Sequence, residues 1–366
     1  MYDVVFYTPW AAPLLAGEAS SGGAERQMLL LSRAMAERGL HVCVVVLTAN
    51  RRLPASVGDV DVAVQPPPRV SSRPVQAFSY ISALGRTIKR LRPRVVVQRS
   101  AGPTTGVLAL FARAMRSRFI YSSASIADFQ FASVEPRREK VWCFHLGVRL
   151  AQTVVVQTEE QAALCRRRFR RQPLVIKSIA EFSEARAARP EAFVWIGRFA
   201  AYKRPEVFVD LARRVPEASF RMVGMANTAE EIRLEQRIAA AAGELPNLTL
   251  LPGLRRGEVA EQLASAVAVV NTSDFEGMSN VFLEGWSRGV PALSLRHDPD
   301  GVITSAGLGG FAHGSPARLA DIARSMWNSR SDRSDVARVC RDYVRREHSA
   351  DAVVPRWIEA LGLNRQ

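Results

Sequence analysis

Cysteine is scarce. The 366 residues carry four thiols (Cys43, Cys143, Cys165 and Cys340), with no C-x-x-C pair and no histidine at ligand spacing. That excludes a disulfide-stapled scaffold and argues against a zinc site; it fits reduced thiols in a cytosolic protein. Long apolar runs are missing too, and none approaches the roughly 20 residues that a membrane-spanning helix needs. Met1-Tyr2-Asp3 leads straight into an apolar strand, without the basic segment and apolar core of a secretory signal. What is present is an ordinary globular composition, 48% hydrophobic and 23% charged, in a chain long enough to expect two domains.

Charge is unevenly divided. Residues 1–185 hold 26 Lys and Arg against 13 Asp and Glu, so 26 − 13 gives +13, and the remaining +2 of the total +15 falls to residues 186–366. Clusters stand at Arg86 to Arg94, at Arg113, Arg116 and Arg118, at Arg137 to Lys140 and at Arg166 to Arg171. A basic first half suits an anionic partner, either membrane headgroups or nucleic acid; it equally suits arginine-rich solvated helix faces. Few aromatics lie near the clusters, which counts against a single-strand nucleic-acid platform.

Short Val- and Ile-rich runs alternate with amphipathic helical stretches. The first series of strands is Val4–Tyr7, Val42–Leu47, Val95–Gln98, Phe119–Ser122, Thr153–Gln157 and Leu174–Ile176. The second is Ala192–Ile196, Ser219–Val223, Leu248–Leu251, Val267–Val270 and Ala292–Leu295. Continuous apolar strands separated by helices predict parallel sheets covered on both faces, an α/β class with two doubly wound domains facing each other. The boundaries predicted are 1–181 and 182–347, with Glu181 to Glu191 as linker and a last helix within 348–366 returning to the first domain through Trp357, Ile358 and Leu361. Ligands in such sheets bind at the carboxyl ends of the strands, which predicts a site in the cleft between the domains.

The most informative stretch is Ser273-Asp274-Phe275-Glu276-Gly277-Met278-Ser279-Asn280-Val281-Phe282-Leu283-Glu284. It follows a strand, and the spacing predicts a helix over Val281 to Arg288 closed by Gly289. Glu276 then sits in the loop, Glu284 on the helix, and the amides from Gly277 to Asn280 at the helix N-terminus. That is an anion site framed by two carboxylates, suited to a ligand with phosphates and hydroxyls. A capping acid and a solvated helix glutamate would give the same pattern.

Three further motifs fall at strand ends. Ala16 to Gly23 precedes a helix, and its glycines permit positive φ and close backbone approach; a flexible loop reads the same. Gly197-Arg198 with Lys203 and Pro205 ends a strand in two cations that suit a diphosphate, with proline opening the next helix. Gly224 and the turn Leu251 to Leu254 are possible walls of a base pocket or plain turns.

Together these residues resemble the retaining glycosyltransferases of family 4, which have the GT-B architecture. Gly22-Gly23-Ala24-Glu25-Arg26 with Arg38 to Val42, Val155 to Gln161, Gly197-Arg198 with Lys203, and Glu276 to Glu284 carry the resemblance over most of the chain. It implies that Arg198 and Lys203 neutralise the donor diphosphate and that Glu284 binds ribose hydroxyls. It implies that Glu276 contacts the transferred sugar and that Gly277, Met278, Ser279, Asn280 and Val281 bind phosphate or orient the sugar. Gly22 and Gly23 would approach the diphosphate. The donor would be a UDP- or GDP-sugar, used without a metal or other cofactor and with retention. The acceptor would be a glycan or lipid-linked glycan of bacterial surface polysaccharide synthesis, met in the cytoplasm or at the inner membrane face.

One departure stands out. Many members carry a histidine after the strand corresponding to Val95–Val97, and here Gln98-Arg99-Ser100 stands there. Arg99, Ser125 and Asp128 are therefore candidates for sugar or acceptor contacts, Asp128 as acceptor base. The missing histidine weakens a nucleotide-sugar epimerase, the alternative within this fold. A basic nucleic-acid-binding protein would explain the charge but not Arg198, Glu276 and Glu284 together.

Overall fold

The computed structural model describes residues 1–17, 22–49, 53–67, 73–182 and 189–363. Two compact units result: Met1–Ile179 with Ala350–Gln366, and Ala180–Ser349. Residues 18–21 of the glycine-bearing loop and 183–188 of the expected linker lie outside the described residues.

The first unit holds an eight-stranded sheet of β1 (Tyr2–Tyr7), β2 (Val42–Leu47), β3 (Ser56–Val57), β4 (Val60–Gln65), β5 (Pro93–Arg99), β6 (Arg118–Ser122), β7 (Thr153–Val156) and β8 (Leu174–Val175). Their order is β3-β4-β2-β1-β5-β6-β7-β8, parallel throughout except for β3 against β4. Alternate residues of β1 enter opposite cores, Val4 and Phe6 one, Val5 and Tyr7 the other, which is why the strand is apolar at every position. The last helix, Ala350–Leu361, buries Trp357 and Leu361 in the first of these cores, with Ile358 packed against it.

The second unit holds β9 (Ala192–Arg198), β10 (Phe220–Met225), β11 (Leu248–Pro252), β12 (Ala266–Asn271), β13 (Ala292–Ser294) and β14 (Gly309–Phe311), all parallel, in the order β11-β10-β9-β12-β13-β14. Strand order reverses between β9 and β12. A doubly wound sheet opens a crevice at that reversal, beyond the strands' carboxyl ends.

Three strands, β3, β4 and β14, escape the sequence pattern. β4 (V-D-V-A-V-Q) alternates because it lies near a sheet edge, where Asp61 is exposed. β14 is Gly-Gly-Phe, and its two glycines are of a type depleted in strands. Its Gly309 has φ 147°, and a Cβ there would meet the Ala292 carbonyl oxygen at 1.9 Å. Close backbone approach, not side-chain packing, makes that strand.

In the first unit, the helices Thr104–Ala114 and Arg138–Leu150 cross backbone to backbone. A Cβ on Gly106 would lie 2.2 Å from the Cys143 carbonyl oxygen, and one on Gly147 would lie 2.4 Å from the Thr105 carbonyl carbon. Gly147→Ala is therefore expected to cost about 1–3 kcal/mol through overpacking. The midpoint of urea unfolding measures it, and an unchanged midpoint would contradict the contact.

Candidate functional site

The site grows from the carboxyl ends of β9 and β12. β12 ends in Asn271, and the chain then runs Thr272, Ser273, Asp274, Phe275 and Glu276 into the helix Asn280–Ser287. Ser279 is the N-cap, and its side chain makes no capping hydrogen bond. The other end closes on Gly289 at φ 76°, with Gly289 N–H donating to Trp286 O (2.9 Å) and Val290 N–H to Gly285 O (2.9 Å). That is the left-handed glycine stop expected there.

Lys203, on the short 3-10 turn after β9, forms an ion pair with Glu276 Oε1. Ser273 Oγ donates to the same oxygen at 2.8 Å and Asn271 Nδ2 at 3.4 Å. Among the described residues all three donors converge on Oε1, leaving Oε2 as the acceptor that a ligand would meet. The Glu276 side chain is only 13% exposed. Burial alone raises its pKa, but Lys203, Ser273 and the nearby His297 outweigh burial and hold the carboxyl below its usual range. Burial likewise opposes the Lys203 charge, and Glu276 reverses that, raising the ammonium pKa.

The two loops are joined at several more points. Thr272 Oγ1 donates to Lys203 O (2.7 Å), and Trp195 Nε1 donates to Thr272 Oγ1 (3.0 Å). Asp274 N–H donates to Tyr202 O (2.8 Å), and Arg204 Nη1 pairs with Asp274 at 3.0 Å. The Tyr202 ring stacks on Phe275 at 5.0 Å between centroids and 11° between planes.

Arg198 ends β9. Its Nη1 lies 3.4 Å from Glu231 Oε1, and its Nη2 donates to Tyr202 OH at 3.4 Å. Glu231 is buried in the first turn of the helix Ala229–Gly243, where it accepts from Asn227 N–H (2.7 Å) and its own N–H donates to Thr228 Oγ1 (3.2 Å). A helix cap thus holds the carboxylate that aims the guanidinium. Lys203, Asn271, Ser273, Glu276, Ser279 and Phe282 line a small hollow open to solvent.

The expected residues therefore gather in large part. Glu276, Lys203, Ser279 and Val281 border the hollow. Gly277 and Met278 are buried between Glu276 and the helix, Asn280 opens that helix, and half-buried Glu284 lies one turn along it. Leu254 packs on the same core cluster as Met278 and Phe282. His297 is a participant that the sequence reading passes over. It is buried after β13, with Nε2 2.6 Å from the Gly277 carbonyl oxygen, bracing the loop that carries Glu276. A histidine just beyond a strand's carboxyl end was the available signal.

In the first unit, Gly22 caps and Gly23 opens the helix Gly23–Ala36, but Gly22 has φ −68°; the positive φ expected of this pair falls instead on Gly17 (φ 73°). Arg99 ends β5 beside β1, where this sheet reverses order, and Nη1 donates to Ser122 Oγ at 3.3 Å. Burial pushes its pKa down to about 10, against the attraction of Asp128, Tyr121 and Glu25. Asp128 does not stand open as an acceptor base. Its Oδ1 accepts from Ala101 N–H (3.2 Å), and its Oδ2 accepts from Ala124 N–H (2.7 Å) and Tyr121 OH (2.9 Å). Burial raises its pKa. It ties together the loops after β5 and β6. Ser125 likewise caps the turn Ile126–Gln130, accepting from Ala127 N–H at 3.1 Å.

Comparison with known proteins agrees with this architecture. A glycosyl transferase 4-like domain matches residues 22–177, and the glycosyl transferases group 1 family matches residues 190–329. The chain belongs to the glycosyltransferases of the GT-B type. No curated protein sequence matches it. Among solved structures it resembles sucrose-phosphate synthase from Thermosynechococcus elongatus (TM-score 0.78, 14% identity, 99% of each chain covered). It also resembles Anabaena Alr3699/HepE in complex with UDP and glucose (0.77, 14%, 99% of this chain and 100% of that one). S. aureus TarM, solved with UDP and α-GlcNAc-glycerol, is similar at 0.77 and 10% identity, covering 99% of this chain and 100% of that one.

Proposed function

We propose that the protein is a family 4 retaining hexosyltransferase that uses a nucleoside-diphosphate sugar. It glycosylates a glycan or lipid-linked glycan in bacterial surface polysaccharide synthesis, on the cytoplasmic side of the membrane. The observation that carries this reading is the Lys203–Glu276 pair at the mouth of a helix N-terminus, where sheet order reverses. The structures with bound UDP support a nucleotide donor.

Arg198 and Lys203 are already matched by Glu231 and Glu276. The backbone amides of Met278 to Val281 and the helix dipole therefore carry much of the added diphosphate charge. As the bond to the leaving diphosphate breaks, these fixed donors and cations take the developing charge without a metal. Glu276 Oε2 accepts from a hydroxyl of the transferred sugar, and Glu284 accepts from the ribose. Leu254 walls the base.

The test is a panel of UDP- and GDP-sugars scored by thermal shift and by slow hydrolysis without acceptor. Stabilisation by one donor with release of its nucleoside diphosphate is the expected result; no stabilisation by any member would end the proposal. Glu284→Ala should weaken nucleotide binding by about 1–3 kcal/mol, the loss of charged hydrogen bonds. Titration calorimetry with the nucleoside diphosphate measures this, and unchanged affinity removes Glu284 from the ribose.

A further inference from the structure

One helical layer of the first unit carries a pattern that donor chemistry does not use. The helices Arg73–Leu91, Thr104–Ala114 and Arg138–Leu150 all pack on one face of the sheet, where Leu84, Ile88, Leu108, Ala112, Phe144 and Val148 share a core with Val5 and Val96. They are neighbours. Gly85 lies against the Phe111 ring, and Gly106 and Gly147 lie at the next crossing. Each helix also turns a large apolar side chain to solvent: Phe78 is 73% exposed, Leu110 49% and Trp142 66%. Val75 and Ile81, either side of Phe78, are exposed as well. Single exposed apolar residues are ordinary, but a set shared by three adjacent helices marks a contact surface.

Charge says what kind of surface. Residues 62–127 contain eleven Lys or Arg and no Asp or Glu. On the three helices the only acid is Glu139, against exposed Arg86, Lys89, Arg90, Arg113, Arg138 and Arg149. None of these six forms an ion pair with a carboxylate among the described residues. Aromatic and aliphatic anchors set among unmatched cations suit the boundary between headgroups and acyl chains of an anionic bilayer. A nucleic acid would satisfy the cations but leave Phe78, Leu110 and Trp142 against phosphate. No helix among the described residues is long and apolar enough to cross a membrane, so contact through this layer is contact with a surface.

We infer that this three-helix layer is where the protein rests on an anionic membrane, Phe78, Leu110 and Trp142 entering the interface and the arginines and lysines meeting the headgroups. The inference deepens the lipid-linked acceptor of the proposed function and rests on that reading for its use in the reaction. The experiment is co-sedimentation of the full chain with vesicles of phosphatidylcholine alone or mixed with phosphatidylglycerol, at low and high salt. The parent should bind the mixed vesicles and release them at high salt.

Phe78→Glu with Trp142→Glu should lower partition by at least about tenfold. Lys89→Gln with Arg90→Gln should lower it on the order of 25-fold, roughly fivefold for each cation. Both double variants should keep the parent's thermal unfolding and acceptor-free donor hydrolysis. Undiminished vesicle binding in the variants, equal binding to neutral vesicles, or a dimer that the same substitutions dissolve without any vesicle binding would overturn the inference. Absent vesicle binding with hydrolysis intact would overturn the surface alone. Absent hydrolysis with vesicle binding intact would overturn the donor reading alone.

Discussion

Glu276→Gln is expected to lower the rate of sugar transfer by about 10²–10³-fold, the scale on which one preorganised polar group at a reacting centre acts. Glutamine keeps an oxygen for Ser273 and Asn271, which now hold Glu276 Oε1. It replaces the second oxygen, the acceptor offered to the sugar, with a donor. It also removes the charge facing Lys203. Because Lys203 is then unmatched, the nucleoside diphosphate product should bind as tightly as in the parent or more tightly. Steady-state transfer rates and product titration separate the two effects. A variant that transfers within a few-fold of the parent would take Glu276 out of the chemistry. One that also lost the nucleotide would make it a binding residue.

Lys203→Met is expected to destabilise the second domain by about 3 kcal/mol at neutral pH, because it leaves a buried carboxylate without its partner. The sign of the pH dependence follows from the directions of the shifts. In the parent, the folded-state pKa of Glu276 is depressed, so its contribution is present above the unfolded value of about 4.3 and is lost as pH falls through the folded pKa. Lys203 has the opposite shift. Its contribution is complete below its unfolded value and is lost as pH rises through the raised folded pKa. In the variant, burial is the largest influence left on Glu276 and lifts its pKa, so the penalty is relieved once the carboxyl protonates. The gap between parent and variant should therefore be widest near neutrality and close below about pH 4. Denaturant midpoints at several pH values measure it. A gap independent of pH would show that the ion pair is not its source.

Much of this was legible in the chain because the physics behind it is local. Apolar runs such as Val42–Leu47 become strands buried on both faces, Pro205 opens a helix, and Gly289 ends one. The strand-loop-helix setting of Glu276 follows from the same signals. What was not legible depends on distant chain segments meeting. Arg198 finds Glu231 because a helix cap on a later segment points a carboxylate at the end of β9. His297 braces Gly277 across 20 residues. Asp128 carries no local mark distinguishing a loop acid open to ligand from one enclosed by three donors. β14 was hidden for a related reason, since a strand of two glycines and a phenylalanine exists only because Ala292 leaves room for no Cβ.

The stacking of Tyr202 on Phe275, with Asp274 N–H donating to Tyr202 O and Thr272 Oγ1 to Lys203 O, has a consequence for the timing of ordering. The loop bearing the cation and the loop bearing the carboxylate cannot move apart without breaking contacts in both. The conformational entropy of arranging them is thus lost when the domain folds rather than when a ligand arrives. The second domain presents Lys203 and Glu276 as a rigid template, already in place before a ligand arrives.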